Sequence, residues 1–296
     1  MARAQTGVAS MTRALACSVF ALAMVASSPP AAADSVFYQP QNRDAQLSEA
    51  TWREIFTGLH KAGHEELVLQ WTRYDDEQFG GRDGWLAGVV DGALTAGLRV
   101  RLGLYWQNAW FTSLESDSGA WDEQLNQWLQ MSLEQAREWA EFSEHPGFSG
   151  WYLPLELPDR GLEQSARRHA LQQQLRHLAR ALDAPLAASS YFTGFLPPAA
   201  YADWLDDLST AAGIEIWVQD GVGVIDLDTA ERELYLETLG CNIGIIREAF
   251  VRTSTDDEPF QARPRVPDTP EATGCHRELV FSLRYLPEGS ALPNDG

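Results

Sequence analysis

Eight short apolar runs along the chain are rich in β-branched and aromatic residues and predict β-strands. They cover residues 36–39, 67–71, 99–106, 148–155, 186–190, 214–219, 243–251 and 279–285. Most are apolar over several consecutive positions instead of alternating with polar residues. Near-continuous apolar strands are typical of parallel sheets that are covered on both faces.

The segments between these runs carry apolar residues at the three- and four-residue spacing of amphipathic helices. Ser48 is placed to cap the first helix and Gly63 to end it. Asp83 is placed to cap a second helix that runs toward Gly97. Further helices are expected over residues 121–142, 162–182, 198–212 and 227–239. The segment 253–273 is rich in Pro, Asp and Thr and is expected to form a long loop over one rim.

Strand followed by helix, repeated along the chain, indicates parallel strands joined by right-handed crossovers. Eight such strands in a chain of this length predict an α/β fold, a single (β/α)₈ TIM barrel. The alternative is a doubly wound open sheet, which would usually carry a glycine-rich nucleotide loop after its first strand. This chain has Gln39-Pro40-Gln41-Asn42 there. No cofactor is therefore expected, and no set of His, Cys and acidic residues has convincing metal-ligand spacing.

The first 33 residues have the pattern of a secretory signal peptide. Arg3 and Arg13 precede an apolar stretch over residues 14–26, and Ala31-Ala32-Ala33 stands before Asp34. We therefore expect a signal peptide over residues 1–33 and one barrel domain over residues 34–296, in a periplasmic or secreted protein. Downstream of the signal no apolar run is long enough to span a membrane, so the mature chain is not expected to insert.

Cysteine usage fits that compartment. Cys17 leaves with the signal segment, so the mature chain keeps Cys241 and Cys275, and two lone thiols in an oxidising compartment usually pair. Each precedes an apolar strand-like run. If those strands are parallel neighbours, both cysteines lie at the same end of the sheet, and a disulfide between them is geometrically plausible.

The charge of the chain limits its partners. Acidic residues outnumber basic ones by 42 to 22, and the formal net charge is −20, which argues against nucleic acid or anionic lipid. Eleven Trp, eight Tyr and twelve Phe would suit a carbohydrate cleft, since flat rings stack on sugar faces. Core packing is the simpler explanation for most of these rings.

In a (β/α)₈ barrel the active site lies at the C-terminal ends of the strands. The residues there, with Tyr74 just beyond the second strand, are rich in amides, carboxylates and aromatic rings. The candidate sugar contacts are Gln39, Gln70, Trp71, Tyr74, Tyr105, Trp106, Gln219 and Asp220. For Asp220 the alternative is a tight turn in which its carboxylate accepts amides of its own backbone.

Two glutamates give the strongest functional signal. Glu156 follows the fourth run directly, and Glu248 lies near the end of the seventh, on strands that face each other across a ring of eight. Glycosidic cleavage needs one carboxylic acid to protonate the leaving oxygen and one carboxylate to attack the anomeric carbon or activate water. The alternatives are that Glu156 caps the next helix or pairs with Arg160, and that Glu248 pairs with Arg247 or Arg252.

These strand positions resemble the large retaining glycoside hydrolase clan built on (β/α)₈ barrels. The resemblance implies that Glu156 is the acid/base and Glu248 the nucleophile. Three segments also resemble a poorly characterised family of secreted bacterial barrels that is regarded as glycosidase-like: Gly150-Trp151-Tyr152-Leu153-Pro154-Leu155-Glu156, Val218-Gln219-Asp220-Gly221-Val222-Gly223 and Glu248-Ala249-Phe250. The clan usually has Asn before its acid/base Glu, to hold the sugar 2-hydroxyl, whereas this chain has Leu155.

The sequence thus predicts a glycoside hydrolase, of retaining type, that acts on an oligosaccharide or polysaccharide. The rival hypothesis is a non-catalytic glycan-binding barrel involved in exopolysaccharide handling, which would keep the aromatic residues without needing both acids. A structural envelope protein is a third possibility, and it predicts no sugar-sized cleft.

Overall fold

Eight parallel strands close into a barrel in a computed structural model that describes residues 33–116, 118–224, 227–255, 258, 260–266 and 275–293. Consecutive strands are neighbours around the ring, and the last pairs with the first. The barrel strands are β1 (Ser35–Tyr38), β2 (Glu66–Leu69), β3 (Arg99–Gly103), β4 (Phe148–Pro158), β5 (Leu186–Tyr191), β6 (Glu215–Gln219), β7 (Gly244–Glu248) and β8 (Glu278–Phe281). The predicted (β/α)₈ barrel is confirmed.

Helices connect most of the strands and surround the barrel. They are α1 (Glu49–Ala62), α2 (Trp85–Thr95), α3 (Ala109–Ser113), α4 (Ser118–Glu138), α5 (Ala140–Ser143), α6 (Ser165–Leu182), α7 (Pro198–Ala212) and α8 (Thr229–Thr238). The caps of α1 are as predicted, because the Ser48 side chain accepts a hydrogen bond from the Thr51 amide and Gly63 is left-handed. The predicted cap of α2 is wrong by one residue, since Gly84 and not Asp83 precedes its first turn.

Inward-facing side chains fill the barrel in layers, because alternate residues of a strand face opposite sides of the barrel wall. The middle of the barrel holds a buried cluster, called the aromatic layer below, with one residue from each of seven strands: Phe37, Val68, Tyr152, Ala187, Trp217, Ile246 and Leu279. On β3 this level holds Gly103, where a Cβ would lie 2.3 Å from the Gln70 backbone. The rings of Tyr152 and Trp217 stack with centroids 5.7 Å apart. This aromatic layer closes the barrel below its C-terminal mouth.

Charged side chains fill the barrel at the opposite, N-terminal end. Glu66 on β2 is 1% exposed and pairs with Arg101 at 3.5 Å and with Arg277. Glu215 pairs with the same two arginines at 3.0 and 2.9 Å. Both guanidinium groups also lie 5.2 Å from the Trp217 ring centroid. The network therefore packs directly under the aromatic layer.

The predicted disulfide is present between Cys241 and Cys275, whose Cα atoms are 5.3 Å apart. The two cysteines precede β7 and β8, which are parallel neighbours. The bridge thus joins the N-terminal ends of two adjacent strands.

Three predicted strands divide into a barrel strand and a second element, and the run 243–251 gives β7 and the strand Phe250–Arg252. The run 99–106 divides into β3 and a short strand, Tyr105–Trp106, which pairs with Arg73–Tyr74 in a separate two-stranded sheet. The run 279–285 divides into β8 and the 3₁₀ helix Leu283–Tyr285.

The connection from β7 to β8 contains no helix among its described residues, and a small hairpin occupies part of it. Phe250–Arg252 pairs antiparallel with Ala262–Pro264. Residues 256, 257, 259 and 267–273 of the predicted long loop lie outside the described part of the chain.

Of the predicted signal peptide, residues 1–32 also lie outside the described residues. In the part of the chain that the structure describes, no helix combines the length and the apolar character needed to cross a bilayer.

Candidate active site

The mouth of the barrel is formed by the inward-facing positions two residues beyond the aromatic layer. Strand alternation places these positions at Gln39, Gln70, Ser189, Gln219, Glu248 and Phe281. Three of the predicted sugar contacts therefore share this layer with one of the two predicted catalytic acids.

Glu156 reaches the same layer through an irregularity in β4. Leu153 pairs with Ala188 and Glu156 pairs with Ser189, so Pro154 and Leu155 are two extra residues on β4. Leu155 is fully buried in the core cluster that contacts the helices. Two extra residues keep the alternation of the strand, so Leu155 faces the helices as Leu153 does, and Glu156 takes the level opposite Ser189 that Pro154 would otherwise hold.

Glu156 lies in an environment that favours its neutral form. Glu156 is half-buried, and the burial of its carboxyl raises the pKa to about 7, although a hydrogen bond with the Gln219 side chain acts in the opposite direction. Its backbone carbonyl accepts a hydrogen bond from Trp110 Nε1 at 3.1 Å. Helix α6 begins at Ser165, so Glu156 does not cap it.

Glu248 ends β7 and is only 2% exposed. Its Oε2 accepts a hydrogen bond of 2.5 Å from the Gly223 amide. Burial and the neighbouring charge of Asp220 raise its pKa well above the usual range, while the Gly223 amide and Arg232 oppose that rise. The alternative partner Arg247 contacts Glu278 at 2.7 Å and Asp220 at 3.9 Å.

The charge of Glu156 acts on Glu248 and is among the causes that raise the pKa of Glu248. Because burial raises both pKa values, both carboxyls favour their neutral forms more than exposed glutamates do. A neutral carboxyl can act as an acid, and an ionised one as a base or a nucleophile.

Asp220 is a third buried carboxyl at the mouth, 4% exposed. Its Oδ1 accepts hydrogen bonds from the amides of Val222 at 3.2 Å and Glu248 at 3.3 Å. Burial raises its pKa, and these amides and Arg247 oppose the rise. The self-capped turn that the sequence left open as an alternative is thus what the structure contains.

The remaining candidates lie on the rim with different accessibility. Trp71 and Tyr74 are partly exposed and meet edge to face with centroids 4.9 Å apart. Trp71 Nε1 donates to the Pro40 carbonyl at 3.4 Å, which places the indole beside Gln39. Tyr105 and Trp106 are only 8% and 6% exposed. The role of Tyr105 and Trp106 as sugar platforms stays a prediction, and both rings are buried in this structure.

Sequence reasoning gave no role to two groups that contact the acids. Trp110 lies on α3, where nothing in the apolar spacing relates it to β4. The Gly223 amide belongs to the backbone, so its only signal is the Gly221-Val222-Gly223 pattern, which indicates close backbone approach.

The described residues contain no group of three or more His, Cys, Asp or Glu side chains that could hold a metal ion. A cavity of about 960 Å³ lies outside the barrel, between α1 and α2. Its lining includes none of the mouth residues named above.

The chain is a closed (β/α)₈ barrel with carboxyl groups at its mouth. It belongs to the family described as domain of unknown function DUF4434, whose model matches residues 34–271. It is 34% identical over 272 residues to the uncharacterized protein YbcH of Escherichia coli K12, an alignment that covers 85% of this chain and 90% of YbcH.

A solved structure supports the fold. A putative alpha-L-fucosidase from Bacteroides thetaiotaomicron aligns with a TM-score of 0.61 and 12% identity over 85% of each chain. A GH10 xylanase from Thermobacillus composti aligns with a TM-score of 0.44 and 13% identity over 86% of this chain and 88% of its own.

Proposed function

We propose that the chain is a glycoside hydrolase that cleaves an oligosaccharide or polysaccharide by a retaining reaction, with Glu156 as acid/base and Glu248 as nucleophile. One observation carries the proposal. The two carboxyls end opposite strands at the barrel mouth, and the charge of one raises the pKa of the other. The resemblance in strand position to the retaining clan supports the assignment of the two roles.

The environment of Glu156 fits its proposed step, whereas the raised pKa of Glu248 means that its carboxyl must lose a proton before it can attack. With a pKa of about 7, Glu156 keeps a proton near neutral pH and donates it to the leaving glycosidic oxygen. Glu248 attacks the anomeric carbon and forms a covalent glycosyl-enzyme. Glu156, now ionised, removes a proton from the incoming water, whose oxygen displaces Glu248 and releases the sugar.

Other residues at the mouth would bind the sugar. Gln39 and Trp71 lie beside each other on the rim and are both partly exposed, so they offer an amide and an indole to one sugar unit. Gln219 contacts Glu156 and would hold the acid in place. The signal-like N-terminus supports a periplasmic or secreted location, where exported glycans are the available substrates.

A panel of oligosaccharides tests the proposal. The wild-type protein should release sugar from at least one member, while Glu156→Gln and Glu248→Gln should each lose at least about a hundredfold in kcat. NMR of the first-formed anomer should show retention. If either Gln variant keeps wild-type turnover, its glutamate does not have the proposed role.

Azide distinguishes the two roles. With Glu248→Ala, azide should restore turnover and give a glycosyl azide of inverted configuration, because azide replaces the nucleophile. With Glu156→Ala, it should give a glycosyl azide of retained configuration, because azide replaces the incoming water. The opposite pattern would exchange the roles.

A non-catalytic glycan-binding barrel is the second candidate function. It is favoured by the 2% exposure of Glu248, by the Gly223 amide on its carboxylate, and by Leu155, which replaces the usual Asn and faces the helices. Glycan binding without turnover by all three proteins would support this function.

A further inference from the structure

The turn after β6 is fastened to β7 by Asp220. The Asp220 amide donates to the Ile246 carbonyl at 3.0 Å, while Asp220 Oδ1 accepts from the amides of Val222 and Glu248. Its Oδ2 lies 3.9 Å from Arg247 Nη1. Both carboxylate oxygens of Asp220 thus face groups of the protein.

The same turn covers Glu248. The Gly223 carbonyl accepts a hydrogen bond of 2.8 Å from the Arg252 amide. The turn is therefore bonded to residues that precede Glu248 in the chain and to one that follows it. A Cβ on Gly223 would lie 2.8 Å from Glu248 Oε2 and 2.5 Å from the Phe250 ring. The turn therefore lies in direct contact with the carboxylate and with the residues that follow it.

We propose that Asp220 is a positioning residue for Glu248: it ties the turn over residues 219–223 to β7, keeps the Gly223 amide on the Glu248 carboxylate, and places a second buried negative charge beside it. This inference rests on the proposed function, in which Glu248 is the nucleophile. It gives Asp220 a role other than holding a sugar hydroxyl.

The two effects of Asp220 on Glu248 are opposite in sign. Its negative charge makes Glu248 harder to ionise, whereas the amide that its turn presents makes ionisation easier. Glu156 adds to the first effect, and Arg232 adds to the second. Arg247 and Arg265 face Asp220 itself and favour its charged form. These charged groups together set the pH at which Glu248 ionises.

Two substitutions separate the effects. Asp220→Asn keeps a side-chain oxygen for the two amides and removes the charge. It should lower the pH midpoint of Glu248 ionisation by about one pH unit and leave exchange of the Gly223 amide with solvent close to wild type. Asp220→Ala removes the acceptor as well, so exchange of the Gly223 amide should become about tenfold faster.

Carboxyl NMR of ¹³C-labelled protein measures the Glu248 midpoint without any substrate, and Glu248→Gln assigns the signal. Glu278→Gln is the matched control, since it also removes a carboxylate that contacts Arg247 but is not among the groups that act on Glu248. Its Glu248 midpoint should stay at the wild-type pH. An unchanged midpoint in Asp220→Asn, or unchanged Gly223 exchange in Asp220→Ala, would overturn the inference.

The wild-type protein gives an independent test if the Asn variant does not fold. The Glu248 signal should then show two inflections with pH, one from its own proton and one from that of Asp220. A single inflection would overturn the inference. In an active protein, Asp220→Asn should also shift the acidic limb of kcat/KM to lower pH. Absence of turnover on every glycan would count against the proposed function and leave the NMR result on Asp220 intact.

Discussion

The amide of Gly223 donates a hydrogen bond of 2.5 Å to Glu248 Oε2, between the turn after β6 and the end of β7. The contact brings a backbone donor to a buried carboxylate and lowers its pKa against the effects of burial and of Asp220. Only a residue without a side chain allows the approach, because the Phe250 ring and the carboxylate occupy the space of a Cβ.

Gly223→Ala is therefore expected to damage both the site and the fold. The added methyl would overlap the Phe250 ring and should destabilise the protein by about 1–3 kcal/mol. It should also displace the amide from Glu248 and lower turnover. Thermal melting and kcat on a substrate from the panel measure the two effects.

Gly88→Ala is the matched control for that substitution. Gly88 lies in the middle of α2, and a Cβ there would meet no atom within 4 Å. The substitution should stabilise the protein by about 0.5–1 kcal/mol through helix propensity, with no effect on turnover. Equal destabilisation by both alanines would show that the Gly223 contact has no special role.

The stability of the protein should also depend on pH through Glu156. Burial raises the folded-state pKa of Glu156 to about 7, from an ordinary value near 4.5, so the folded protein binds this proton more tightly than the unfolded chain. The protonated carboxyl makes its full contribution to the free energy of unfolding below about pH 4.5, and this contribution is lost as the pH rises through about 7.

Glu156→Gln should therefore be more stable than wild type at pH 8, by up to about 3 kcal/mol in unfolding free energy, and this gain should shrink toward pH 5. Melting temperatures across that range test the expectation. Glu163→Gln, at an exposed position in the loop after β4, should show no pH-dependent difference. A gain of equal size at every pH would contradict the role of burial.

The strands and their order were predictable because short apolar runs between amphipathic segments define parallel strands, and counting them fixes which strands face each other. Glu156 and Glu248 were placed on opposite strands in this way. The same reasoning placed Cys241 and Cys275 before neighbouring strands. These inferences need only local pattern and chain order.

The surroundings of the candidate site could not be predicted in the same way. The burial of Glu248 depends on a contact between the turn at Gly223 and Phe250. These residues are distant in sequence and come together only in the folded chain. Burial of Tyr105 and Trp106 follows their division from β3 into a two-residue strand paired with Arg73–Tyr74. Strands of two residues leave no periodic signal in a sequence.

Removal of the disulfide should destabilise the barrel without altering the mouth. Cys241 and Cys275 are 34 residues apart in sequence, and a loop of this length predicts a loss of about 3–4 kcal/mol. The double substitution to Ser and the reduced wild-type protein should have the same lowered melting temperature. A melting temperature that does not respond to reducing agent would contradict the expectation.

Glu66 is expected to contribute far more stability than its neighbour Glu65. Glu66 accepts a hydrogen bond of 2.6 Å from Ser35 Oγ and lies between Arg101 and Arg277 inside the barrel. Glu66→Gln leaves both guanidinium groups with less compensating charge and should cost about 3–5 kcal/mol in urea denaturation. Glu65→Gln removes an exposed partner of Arg99 at 3.7 Å and should cost less than about 1 kcal/mol.

The cost of Glu66→Gln should also fall in acid. Burial alone would raise the pKa of Glu66, but Arg101 and Arg277 outweigh it and bring the pKa below its ordinary value of 4.5. The ionised carboxyl therefore stabilises the fold above pH 4.5, and this contribution is lost as pH falls through the lowered folded-state pKa. The urea midpoints of wild type and Glu66→Gln should converge in that acidic range. If the two midpoints differ by the same amount down to the lowest pH at which the protein folds, the carboxylate charge is not what stabilises the barrel.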